Sequence, residues 1–243
     1  MKAKSGSAML PALMLIFGIA ALMLRKALYA AATDVKGLLL RWHPLERALT
    51  ALTFGAMLLI VLAVRKKEPC ENTEAQPLQN LLAAVGNLAA GAGILVTMLT
   101  SEMMPGSTLT AAWKILGLAA PACLLLAGIT RVLGKRPFFL LHVAVCLFFL
   151  VHIVTRYQLW SSNPQMQDYV FALLGAMALM FFGYYEASRE AGCGNPRLKL
   201  GMGLAAVYLC LAELARSSCP ALYLGGILWV LSQLCCAGKK EKQ

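Results

Sequence analysis

Eight apolar runs, each 15 to 23 residues long and separated by short polar connections, limit what this chain can fold into. They occupy residues 8–24, 49–64, 81–100, 111–133, 138–154, 169–185, 200–214 and 222–236. A helix of about 20 residues crosses a bilayer. The runs therefore predict an all-α, polytopic membrane bundle of about eight transmembrane helices. Composition agrees: 60% of the 243 residues are apolar and 14% charged, against about 25% charged in soluble domains. In water, such a chain lacks the polar residues to cover its apolar ones. No connection reaches the roughly 50 residues a soluble domain needs, so one membrane domain over 1–243 is expected. The last two runs have only 15 residues, and snorkelling of Lys199 and Arg216 would complete them. The run 8–24 is followed by Ala30-Ala31-Ala32, as in a cleaved leader. Arg25 and Lys26 stand between them, so the run reads as a first helix.

Charge sets the orientation. Lys plus Arg number 22 against 11 Asp plus Glu, a net charge of +11. The basic residues cluster between apolar runs, where they meet anionic headgroups. The expected partner is the lipid bilayer, not nucleic acid. Fourteen Lys and Arg flank the runs on the side of both termini and seven on the other, with Lys114 inside a run. The positive-inside rule then puts both termini in the cytoplasm, and a bacterial plasma membrane is the expected location. One connection breaks the pattern. Arg25, Lys26, Lys36, Arg41 and Arg47 all lie on the poorer side.

That anomaly directs attention to the outer loops. The first carries Arg41-Trp42-His43 and Glu46, and the third carries Arg156-Tyr157, Trp160 and Asp168. Arginine binds carboxylate or phosphate through two hydrogen bonds, and Trp and Tyr can cover an organic group. Together these eight residues suggest an outward-facing site for a small anionic or amphipathic ligand. Pro44 precedes Gly55-Ala56-Met57 by the interval that separates Pro164 from Gly175-Ala176-Met177. An offset of 120 residues would superpose the two loops and imply a weak 4+4 parallel repeat.

Polar residues at membrane depth are costly and mark function. Four stand out: Asn87, His142, His152 and Glu213. Asn87 lies in a run rich in Gly and Ala, where small side chains let helices approach closely. His142 and His152 do not share a helical face, being about 280° apart after whole turns. Glu213 has Arg216 three residues on, a spacing that permits a local ion pair. Lys114 beside Trp113 reads as an interfacial anchor. No acidic pair falls inside an apolar run, and no motif marks a hydrolase, kinase or metalloenzyme. Neither a metal nor a cofactor is expected.

The stretch Asp34-Val35-Lys36-Gly37-Leu38-Leu39, followed by His43-Pro44-Leu45, resembles one in uncharacterised bacterial multi-pass membrane proteins. The resemblance implies the membrane fold and carries no activity with it. The main expectation is a small-solute carrier or solute-binding membrane component. The second is a non-catalytic scaffold, sensor or accessory subunit with a membrane partner or a second copy. The third is a lipid-modifying enzyme using His43 as base beside Glu46, with no third group to complete a catalytic set.

Overall fold

A computed structural model of the chain describes residues 6–33, 43–66, 77–101, 108–161 and 169–235. They contain eight helices: α1 (Gly6–Ala32), α2 (Pro44–Lys66), α3 (Pro77–Thr100), α4 (Thr108–Val132), α5 (Leu140–Trp160), α6 (Val170–Glu190), α7 (Pro196–Glu213) and α8 (Pro220–Cys235). Each apolar run has become one helix. Four helices open on proline, which is pre-set for the first helical position and lacks an N–H that would go unpaired there. Before Pro196, the Asn195 side chain caps α7 by accepting from the backbone N–H groups of Arg197 and Leu198. Pro11 and Pro121 lie inside α1 and α4, as membrane helices tolerate.

Glycine sets two of the stops. Gly134 and Gly192 adopt φ of +72° and +84°, a conformation that disfavours other residues. After α4, the N–H of Lys135 bonds the carbonyl of Thr130 at 2.9 Å and that of Gly134 bonds Arg131 at 3.0 Å. After α6, Cys193 bonds Ser188 at 2.9 Å and Gly192 bonds Arg189 at 3.0 Å. Both are Schellman endings. They stop the two helices just beyond Arg131 and Glu190.

Helices α3 to α8 pack in succession, and α8 returns to pack on α3. α1 lies against α7, and α2 against α1 and α7. The α3–α8 contact is the tightest. A Cβ on Gly225 would lie 2.5 Å from the Ala89 carbonyl oxygen, and one on Gly93 would strike that of Ala221. The small residues of α3 thus allow close backbone approach, as expected from their type. Helix α7 is central: residues 203–213 are all buried. With every face covered it needs no apolar stripe.

Two expectations need correction. Six helices, α1 to α6, are long and apolar enough to cross a membrane, rather than eight. α7 has 18 residues and carries Arg197, Lys199 and Glu213, while α8 has 16. Nor does the packing repeat. α6 lies firmly on α7, whereas its counterpart α2 lies on α1 and α7 rather than forming that contact with α3. Gly55 of the matched tripeptides faces open space, while Gly175 sits against Cys210 and Tyr223. Three shared residues on unlike surfaces do not make a structural repeat.

Candidate functional site

Charged residues from distant parts of the chain meet at both ends of the bundle. At the end where α4, α6 and α8 finish, hereafter the termini end, a cluster links six helices, α3 to α8. The Glu186 carboxylate meets Lys199 Nζ at 2.5 Å, Arg189 at 2.9 Å and Arg131 at 3.3 Å. Glu190 meets Arg131 at 2.8 Å and Nδ1 of His142 at 2.7 Å. Arg131 also donates to Oε1 of Gln233, whose amide in turn donates to Oδ1 of Asn87 at 3.1 Å and to the Ala83 carbonyl at 3.5 Å. Glu186 and His142 are wholly enclosed, and Arg131 and Lys199 nearly so. Four buried formal charges, two of each sign, cancel. Such pairing is what makes their burial tolerable.

At the far end Arg25 and Glu213 form a second buried pair at 2.6 Å. Arg25 also donates to the Ala212 carbonyl at 3.0 Å and to the Tyr29 hydroxyl at 3.2 Å. Its guanidinium lies 4.9 Å from the centre of the Phe171 ring, which ties α1 to the start of α6. Glu213 therefore pairs across helices and not only locally. Arg216, expected as its partner, places its guanidinium over Tyr29.

Arg156 is different. It is 5% exposed at the end of α5, yet among the described residues no carboxylate lies within ion-pair reach. Its Nη2 donates to the Ser101 hydroxyl at 2.7 Å and to the Cys219 sulfur at 2.8 Å, both neutral groups. Its Nε–H has no partner. The guanidinium sits 5.9 Å from the Trp160 ring, which stacks on Tyr169 at 4.3 Å. One turn below Ser101 on α3, the hydroxyl of Thr97 is also buried without a partner. Cys219 directly precedes α8, so the positive end of that helix faces the same corner. Among the described residues this leaves a buried cation whose partners are neutral and whose Nε–H is spare.

The other sequence candidates are spread out. Arg41, Trp42 and Asp168 lie outside the described residues. His43 starts α2, where its Nδ1 accepts the Leu45 N–H at 3.3 Å, and Glu46 follows in the first turn. The imidazole thus serves as a helix cap. Tyr157 points outward. His43 and Glu46 belong to the α2 edge, whereas Arg156 and Trp160 face α3, α8 and the start of α6. His152 is enclosed, accepting the Trp113 indole N–H on Nδ1 at 3.2 Å. Trp113 is therefore a core residue rather than an interfacial anchor, while Lys114 stays exposed.

Sequence reasoning missed Arg25, Arg131, Glu186, Glu190 and Lys199. It treated the cations as loop charges and ended the sixth span at 185. α6 continues to Glu190, so an acidic pair does lie within a helix. The available signal was periodic: Glu186 and Glu190 are one turn apart and share a face. Among the described residues no group of three or more His, Cys, Asp or Glu could hold a metal ion. Three comparisons were made, with protein-family models, curated proteins and solved structures, and nothing matches this chain in any of them.

Proposed function

We propose that the protein is a multi-pass membrane component that binds a small anionic or amphipathic solute, in the simplest case as its carrier. The observation that carries this reading is Arg156, a buried guanidinium that among the described residues has an unpartnered Nε–H and neutral partners. An isolated buried charge is costly, and a bound carboxylate or phosphate would compensate it through a two-point contact. The site moves from the meeting of two loops to the corner of α3, α5 and α8. Ser101 and Cys219 join Arg156 and Trp160 in lining it.

Helices α7 and α8 complete the membrane domain in this reading: α7 brings its charged residues into the interior of the bundle, and α8 is apolar but only 16 residues long. The termini end is cytoplasmic in this reading. Removing the buried Arg131 and Lys199 from the fourteen basic residues on that side, and Arg25 and Arg156 from the seven opposite, leaves twelve against five. The anomaly of the first loop shrinks, because Arg25 and Lys26 belong to α1 and Arg47 to α2. A cysteine at Lys36 in a cysteine-free background should react with an impermeant thiol reagent in intact cells. Reaction only after permeabilisation would reverse the orientation.

The binding test is thermal unfolding of the full chain in detergent against small carboxylates, inorganic phosphate and amphipathic anions. A concentration-dependent rise in Tm is expected, and Arg156→Gln should abolish it. If no anion raises Tm, or if Arg156→Gln leaves the rise intact, the reading fails. A non-catalytic accessory subunit is the second reading. It is favoured by the termini-end cluster, whose charges are closed on one another.

A further inference from the structure

We propose that His142 and Glu190 form a proton-binding site at the termini end of the bundle, with the proton taken at Nε2 of the imidazole. This site shares no residue with the Arg156 corner.

The two carboxylates of the cluster have different company. Glu186 is surrounded by three basic side chains, Lys199, Arg189 and Arg131. Glu190 shares Arg131 with it, and its other oxygen meets His142 Nδ1 at 2.7 Å. Its second partner is thus a group whose charge is optional. Histidine is the side chain that ordinarily changes charge between pH 5 and 8. In the neutral ring, the N–H belongs on Nδ1, where it can donate to the carboxylate. That leaves a lone pair on Nε2, which is fully buried and has no partner. A histidine serving only as interhelical glue would have both nitrogens occupied.

Protonation at Nε2 breaks no existing bond. The proton comes from water at the termini end and returns there on release. With it bound, the His142–Glu190 hydrogen bond becomes an ion pair. The surrounding charges set the balance. α4 brings Arg131, α6 brings Glu186 and Arg189 beside Glu190, and α7 brings Lys199. α8 offers the neutral Trp229, nearly parallel to the imidazole, and Gln233. α3 offers the neutral Asn87. On α5 itself, Cys146 is engaged with the Met180 carbonyl. The positive charges of Arg131 and Lys199 oppose an added proton, Glu186 offsets one of them, and Glu190 is the group that favours it. His152, on the same helix and equally enclosed, accepts from Trp113 and has no carboxylate, so it serves as an internal control.

The test is NMR of the full chain, labelled with 15N-histidine, in lipid nanodiscs between pH 5 and 8. His142→Gln identifies the signal. Reversible protonation of His142 is expected, with the His152 signal unmoved by Glu190→Gln. Glu190→Gln should lower the proton affinity of His142 by at least about tenfold. A His142 that stays neutral over the whole range, or one whose titration ignores Glu190→Gln, overturns the proposal. Should Glu190→Gln fail to fold, the stability difference between wild type and His142→Gln is measured against pH. A difference that varies with pH supports the site, and a flat one overturns it.

Discussion

The two ends of the bundle treat buried charge in opposite ways. At the termini end, Arg131 and Lys199 are enclosed with Glu186 and Glu190, and every formal charge has an opposite one within 3.3 Å. In the far-end corner of α3, α5 and α8, Arg156 is as deeply enclosed and, among the described residues, has a hydroxyl, a thiol and an aromatic ring as partners. Arg25, at the same far end, has Glu213 at 2.6 Å. Depth alone therefore does not explain the missing partner of Arg156. Compensated charge holds helices together, while uncompensated charge costs stability that the proposed anion would restore.

The largest effect expected from breaking this contrast is at Glu186. Glu186→Ala leaves Lys199 without its counter-ion and Arg131 with one carboxylate fewer. Removing one partner from a buried network costs about 3–5 kcal/mol. Chemical denaturation in micelles should show that loss, and an unchanged midpoint would mean the cluster contributes nothing to the fold.

The next effect tests packing, independently of charge. Gly93→Val would push α3 off the Ala221 carbonyl of α8, at a cost of about 1–3 kcal/mol for overpacking. Because α3 and α8 both border the Arg156 corner, the same variant should weaken any anion-dependent rise in Tm. A stable protein that keeps that rise would show that the corner does not depend on close approach of the two helices.

Arg156→Met should have the opposite sign to Glu186→Ala. It removes an uncompensated buried cation and keeps an apolar side chain of comparable length, so Tm without added anion should rise, by roughly 0.5–2 kcal/mol equivalent. A destabilisation as large as that of Glu186→Ala would make Arg156 a structural staple and erase the difference between the two ends. The smallest effect belongs to Tyr157, half exposed beside it. Tyr157→Ala should change stability by no more than about 0.5 kcal/mol, and a larger change would mean that the ring is covered in the working assembly.

The candidate site was only partly legible in the sequence. Arg156 and Trp160 stood out as an arginine and an aromatic ring at the end of a run, and both line the corner. Ser101 and Cys219 were unremarkable, because a hydroxyl or thiol at a helix end signals nothing until another helix brings a cation to it. His142 and Asn87 were visible as polar residues at depth, but their partners were not. Glu190 lies 48 residues from His142, and Gln233 lies 146 from Asn87.

The sequence by itself determined the helical membrane class and the position of all eight helices, since run length, flanking charge and initiating proline are local properties. It did not determine which flanking charges turn inward. Arg25, Arg131 and Lys199 each lie within about a turn of the end of an apolar run, where a long side chain can either reach the headgroups or pair inside. Both outcomes share the same local sequence. Only the tertiary arrangement chose between them, by bringing Glu213 to Arg25 from 188 residues away and Glu186 to Arg131 from 55, while among the described residues it brings no carboxylate to Arg156.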